Sequence, residues 1–304
     1  MSSRRAPDEA LLVHLAAGVG DVVLATPLLA LLARAGFTLD VRVDGDYPET
    51  ADLLRDWGAL RRVTVGASAP AAAYRAVLPA VPPFYWPRYA PLYRDAANAV
   101  ARPPDAAFYA DEQHWYLGFA APFADAAEAP FCALPVAPDP SPGIGATTLV
   151  LAPGCKGGEM AAKRWPHFAE LAAAFPDVAV VGTPEDVARC GAFPPHVQSL
   201  VGRLSLRATA AALAAAGAVV ANDSGLGHVA AAVGVPTVLL FGPTAAEVLG
   251  RFPPNVTMLR AALPCAPCWF RARFAACAGR IDCLDGLVPA RVIAALRAAG
   301  FAGA

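Results

Sequence analysis

This chain has little charge and almost no imbalance of it. Charged residues make up 16% of its 304 residues, and the formal net charge is −1. It lacks the broad positive field that draws a protein to nucleic acid or to an anionic membrane, so neither is expected as a partner, although a single local phosphate site remains compatible. It also lacks a clear secretory signal. Arg4 and Arg5 precede the apolar residues 11–20, but Asp8 and Glu9 intervene, Asp21 follows closely, and no small-residue cleavage site stands out. No apolar run of membrane-spanning length is left uninterrupted. Residues 229–246 come nearest, but Gly234, Pro236, Gly242 and Pro243 cut them into a helix, a strand and a turn. The cysteines number seven. An odd count without a signal argues against a disulfide scaffold. Together these absences lead us to expect a soluble, cytoplasmic protein.

What the chain has in quantity is apolar residues, 57% of the total and much of it alanine. That is ample for one large core or two ordinary ones. Short apolar strands alternate with helical patterns, which predicts an α/β fold with parallel sheets. In the first half, strands are expected at 11–15, 39–43, 62–65 and 76–78, and helices at 22–35 and 48–57. Residues 79–104 are rich in Pro, Tyr and Trp; they read as irregular, in the manner of a binding loop. Pro138, Pro140 and Pro142 mark an extended linker. After it, strands are expected at 148–152, 178–181, 218–221 and 237–241, and helices at 165–175, 206–215, 229–233 and 289–299. No repeat of solenoid period is present. The expected architecture is two Rossmann-like parallel-sheet domains, 1–140 and 141–304, facing a cleft, with the last helix able to pack back on the first domain. Ligands in such sheets bind beyond the carboxyl ends of the strands.

Three segments carry chemistry. Gly18-Val19-Gly20-Asp21 follows the first strand and opens a helix. The glycines permit a tight turn, and a carboxylate at a helix N-terminus is favoured in its ionised form, which suits Asp21 to act as a general base. The plainer role is charging the helix start. A dinucleotide fingerprint is also suggested, with Asp44 about twenty residues on, but Val23 occupies the third glycine position and Asp21 would sit badly beside a pyrophosphate. In the second segment, residues 151–166, a Gly-rich turn ends in Lys163-Arg164-Trp165-Pro166, where cations meet the start of a helix. No Gly-Lys-Ser/Thr closes it, so it is not a Walker A loop; the alternative for Lys163 is a solvated surface lysine. The third, Asn222-Asp223-Ser224-Gly225-Leu226-Gly227-His228, lies between a strand and a helix. Free backbone N–H groups there suit a diphosphate, whereas the plain reading is an ordinary turn capped by Ser224. Cys265-x2-Cys268-x8-Cys277-x5-Cys283 permits a structural zinc, although buried or free thiols are the favoured reading.

Taken together, Gly20-Asp21 with Thr26-Pro27, Lys163-Arg164-Trp165-Pro166, and Asn222-Asp223-Ser224-Gly225 with His228 and Phe241-Gly242-Pro243-Thr244 resemble the motifs of glycosyltransferase family 9, the lipopolysaccharide heptosyltransferases. The resemblance implies a GT-B fold and inverting, metal-independent transfer with no cofactor. The sugar, heptose-like, would pass from a nucleotide-diphosphate sugar to a lipopolysaccharide-type or other glycan acceptor, and membrane contact would be peripheral, through the acceptor. It implies Asp21 as catalytic base in a cleft loop with Gly18, Gly20 and Thr26. It implies Lys163, Asp223, Ser224, Gly225 and His228 at the donor diphosphate, and Glu185 or Asp186, with Thr244, near the nucleotide. Two alternatives are a GT-B-fold nucleotide-sugar epimerase and a non-catalytic sugar-nucleotide or glycan binder. The chain departs from the family pattern at His14-Leu15-Ala16-Ala17, where many members carry an arginine.

Overall fold

The computed structural model describes residues 10–16, 18–66, 74–155, 163–188, 190–268 and 282–303. The chain separates into two compact units, residues 1–135 with 248–251, and residues 136–247 with 252–304. The boundary therefore falls ahead of the expected 140, because the proline linker is tied to the second unit. Asp139 N donates to Ala211 O at 3.0 Å, and Gln198 Nε2 donates to Pro142 O. Residues 248–251 go with the first unit because Gln113 holds Arg251 at both backbone groups: Arg251 N donates to its Oε1 at 3.2 Å, and its Nε2 lies 3.5 Å from Arg251 O.

The first unit is built on strands β1 (Ala10–Leu15), β2 (Thr38–Val43), β3 (Leu60–Val65) and β4 (Ala76–Leu78). They form a parallel sheet in the order β3-β2-β1-β4. Every residue of β1 is buried, as expected of a parallel strand covered on both faces. The helix expected over 22–35 is instead two, α1 (Val19–Leu24) and α2 (Thr26–Arg34). Pro27 has no N–H for the carbonyl of Val23; that oxygen accepts from Thr26 Oγ1 instead, at 2.7 Å. Further on come α3 (Thr50–Leu54), α4 (Trp86–Tyr89), α5 (Asp105–Phe108) and α6 (Glu112–Gly118). The aromatic stretch 79–104 contains α4 and a 3-10 turn. Arg102 pins it, donating to Pro79 O (3.2 Å) and Val81 O (2.6 Å) while lying 4.0 Å from the Trp86 ring centre and 5.0 Å from that of Trp115.

The second unit holds β5 (Leu149–Ala152), α7 (Phe168–Ala172), β6 (Val178–Val180), α8 (Pro184–Val187), β7 (Gln198–Ser199), α9 (Leu206–Ala215), β8 (Ala218–Asn222), α10 (Gly225–Ala232), β9 (Thr237–Phe241), β10 (Val256–Arg260), α11 (Asp282–Asp285) and α12 (Pro289–Ala298). Its parallel sheet runs β10-β9-β8-β5-β6-β7. The last helix packs within this unit: Val292, Ala295 and Leu296 are buried in one cluster with Trp165, Phe168 and Leu284. Among the described residues, no helix is long and apolar enough to cross a membrane.

Candidate functional site

In the second sheet the strand order reverses between β5 and β8, which pair from Leu149↔Ala218 to Ala152↔Ala221. Crossovers leave from this switch point to opposite faces of the sheet, and the crevice at the carboxyl ends is where such folds take ligands. Here β8 ends in Asn222 and Asp223 follows it, both buried. Asp223 Oδ2 accepts from Lys163 Nζ at 2.9 Å and from Thr244 Oγ1 at 2.6 Å, and Oδ1 lies 3.4 Å from His228 Nε2. Burial alone would raise the Asp223 pKa. The Lys163 ammonium and the His228 contact outweigh it and hold the carboxyl well below the usual carboxylate range. Asp223 is therefore an ionised group whose charge is already matched. It fixes a cation in place, where an unmatched carboxylate would repel an anion.

The helix α10 starts beside this pair, and Ser224 is its N-cap, with Oγ 3.5 Å from Gly227 N. Its first-turn amides have no partners within the helix. Gly227 is what lets the helix begin so close to the strand, because a Cβ there would lie 2.7 Å from the carbonyl oxygen of Asn222. His228 is buried and stacks on Phe252, with ring centres 5.9 Å apart. The structure thus gathers Lys163, Asp223, Ser224, Gly225, His228 and Thr244 at one strand end. Thr244 joins this cluster through its bond to Asp223.

The two acids considered for a ribose differ in placement. Glu185 is exposed on α8. Asp186 accepts from Thr183 N at 2.8 Å, lies 3.8 Å from Arg164 Nη2 and packs against Gly154, where a Cβ would come within 2.5 Å of its Cγ. Its carboxylate is already used in capping α8 and facing Arg164.

In the first unit, α1 begins at Val19, so Gly18 is its N-cap while Gly20 and Asp21 lie in its first turn. Asp21 is partly exposed. The phenol of Tyr116, buried on α6, is pushed well above its ordinary value by burial and then by the negative charge of Asp21. Thr26 does not line a loop as expected. It is buried, and its hydroxyl donates to Val23 O and accepts from Ala133 N at 3.2 Å. Asp44-Gly45-Asp46, an Asp-x-Asp triplet, follows β2: Asp44 Oδ1 accepts from Asp46 N at 3.0 Å, and Asp46 pairs with Arg88. His14 is fully buried, with Nδ1 against Tyr93 OH and Nε2 without a hydrogen-bond partner among the described residues.

Of the cysteine cluster, Cys265 is exposed while Cys268 and Cys283 are buried; Cys277 lies outside the described residues. Among the described residues, no three His, Cys, Asp or Glu side chains are grouped to hold a metal ion. One signal for this site stands in the sequence itself: the chain has two lysines, Lys156 and Lys163, close together ahead of Trp165. The fold adds what the sequence does not carry: Asn222, next to Asp223, is fully buried and bonded to two other turns.

Known proteins resemble the chain in both sequence and fold. It is 49% identical over 70 residues to lipopolysaccharide heptosyltransferase 1 of Pseudomonas aeruginosa, covering 23% of this chain and 20% of that one. It is 35% identical over 121 residues to lipooligosaccharide heptosyltransferase 2 of Haemophilus influenzae, covering 35% of each. The aligned segments thus span a fifth to about a third of these relatives. The structure of ADP-heptose lipopolysaccharide heptosyltransferase II from Escherichia coli superposes with a TM-score of 0.70 at 20% identity, over 95% of this chain and 98% of that one. That likeness establishes the fold, which is GT-B with two Rossmann-like parallel sheets. The model of glycosyltransferase family 9 (heptosyltransferase) matches residues 87–277, which run through both the aromatic stretch and the Lys163–Asp223 site, and the chain belongs to that family.

Proposed function

We propose that this protein is an inverting glycosyltransferase that moves a heptose-like sugar from a nucleotide-diphosphate sugar to a lipopolysaccharide-type glycan acceptor. The observation that carries this is the Lys163 ammonium, fixed by buried Asp223 beside the N-terminus of α10 at the switch point of the second sheet. Family membership supports the reaction class. Similar structures described as an ADP-heptose heptosyltransferase and as a heptosyltransferase with ADP support an adenosine diphosphate donor.

In this reading, the donor diphosphate rests on the first-turn amides of α10 and on Lys163, with Ser224, Gly225 and His228 around it. Asp21 takes the proton from an acceptor hydroxyl as its oxygen attacks the anomeric carbon. The bond from that carbon to the diphosphate oxygen breaks on the opposite face, so configuration inverts and the nucleoside diphosphate leaves with the electron pair. Negative charge grows on the leaving group, where Lys163 and the helix end meet it with little reorganisation. The nucleotide sugar is a substrate, and the scheme calls on no cofactor. The protein would work in the cytoplasm and meet the membrane peripherally, through a glycolipid acceptor.

Product analysis with a radiolabelled ADP-heptose and a heptose-free lipopolysaccharide core tests the proposal. Label appearing in the glycan is the expected result. Label recovered as an isomerised nucleotide sugar would mark an epimerase, and unaltered donor a binder; either would overturn the transferase reading.

A further inference from the structure

Three turns must hold their places for the proposed donor site to exist: the turn leaving β5 through Pro153 and Gly154, the turn bringing Lys163 and Arg164 to α7, and the turn from β8 into α10. They are distant in sequence, yet one side chain joins them. Asn222 is the last residue of β8 and is fully buried. Its Oδ1 accepts from Trp165 N at 3.0 Å, and its Nδ2 donates to Pro153 O at 2.6 Å. Its own carbonyl oxygen is the atom against which Gly227 closes α10.

The residue type matters. A carboxamide offers an acceptor and a donor at one reach, a carboxylate offers only acceptors, and a hydroxyl is shorter. The backbone groups it serves are buried and would otherwise go unpaired. Trp165 is anchored on its far side as well, since its indole donates to Leu287 O at 2.7 Å. With Trp165 held at both ends, the backbone two residues earlier is fixed, and from there Lys163 reaches Asp223, the residue that follows Asn222.

We propose that Asn222 is a positioning residue of the donor site. Its carboxamide clamps the Lys163 turn and the Gly154 turn to the β8–α10 turn, so that the Lys163 ammonium and the start of α10 meet the same diphosphate. The clamp rests on the donor-site reading above. Its value lies in preorganisation, because a cation on a loose turn must be ordered at the moment of binding.

Calorimetric titration with ADP and with adenosine separates the two claims. The wild-type protein should prefer ADP, and Lys163→Ala should remove most of that preference. Absence of a preference in the wild type would overturn the donor site and the clamp with it. With the preference established, Asn222→Asp and Asn222→Ala should each lose about tenfold or more in ADP affinity while holding adenosine affinity within about twofold. Folded variants that keep the wild-type preference, or that lose both ligands equally, would overturn the clamp and leave the donor site standing. Hydrogen exchange on the wild type needs no variant to fold. ADP should slow exchange in residues 163–168 and 223–228 together. Protection of the second segment with the first unchanged would show the turns to be uncoupled and end the proposal.

Discussion

Lys163 and Asp223 form a buried ion pair whose value is unlike that of a surface one. Their side chains are 13% and 4% exposed, so removing the cation leaves a carboxylate that has lost its main compensation, although Thr244 and His228 still serve it. Lys163→Ala is therefore expected to lower stability by about 1–3 kcal/mol in urea unfolding and to weaken nucleoside diphosphate binding far more than nucleoside binding. Equal losses for the two ligands would speak against a phosphate role. Asp21→Asn keeps the shape of the side chain and removes the proton acceptor. Its kcat should fall by about 10²–10⁴-fold while the ADP affinity measured by calorimetry holds. A folded variant with near-normal turnover would leave Asp21 as a helix-start charge. His14 makes a prediction about pH. Burial, and then the nearby Arg42, lower its pKa from 6.5 to about 4. The folded protein thus binds its proton less readily than the unfolded chain, so His14 costs nothing above pH 6.5 and erodes stability as pH falls from there towards about 4. The loss is on the order of 3 kcal/mol at the acid end. Comparing urea unfolding at about pH 7 and about pH 4.5 should show a shallower acid loss in His14→Gln than in the wild type.

At the scale of elements, the join between β8 and α10 is set by a missing atom. A Cβ at Gly227 would meet Asn222 O and Leu239 Cδ2, each at 2.7 Å. The leucine can turn away, but the carbonyl cannot without moving the strand end. Gly227→Ala should consequently cost about 1–3 kcal/mol, read as a lower Tm, and should weaken ADP binding because it displaces the first turn of α10. An unchanged Tm would mean that the strand end yields freely. Much at this scale was legible beforehand. The helix α9 matches its expected span, with Ser205 accepting from Ala208 N at its start, because cap and periodicity are both written locally. The strand β9 matches for the same reason, as a short apolar run closed by a Gly-Pro turn. Two misses fall where groups distant in sequence are bonded. The helix expected from 165 starts at Phe168, and the amide of Trp165 ahead of it is bonded to Asn222. The long first helix splits at Ala25 because Pro27 cannot serve the Val23 carbonyl, a local cue, and the bond of Thr26 to Ala133 then fixes the junction. Those bonds join residues 57 and 107 positions apart, and no local pattern announces them. The motifs singled out Lys163 and Asp223, but not that one compensates the other, since charge pairing across 60 positions is a property of the folded chain.

At the scale of the whole molecule, each unit has a buried cluster of its own among the described residues. The second packs Trp165, Phe168 and Leu151 with Leu284 and Leu296, while Leu12, Val77, Tyr89 and Tyr93 cluster within the first. The near-zero net charge gives no long-range steering of an anionic donor, so recognition falls to local groups, and every residue proposed for the diphosphate belongs to the second unit. A ligand that binds only folded protein stabilises it by mass action, by about 2.7 kcal/mol at a hundredfold excess over Kd. If the donor is held as proposed, that stabilisation enters through the second core. ADP should therefore raise the temperature at which the amides of β8 and β9 begin to exchange, with a much smaller rise for those of β1 and β2. Scanning calorimetry under the same conditions should show the shift in only part of the heat absorption. Equal protection of both sheets, with one transition moving as a whole, would mean that the cores unfold as a single cooperative body, and the thermodynamic separation argued from their packing would be wrong.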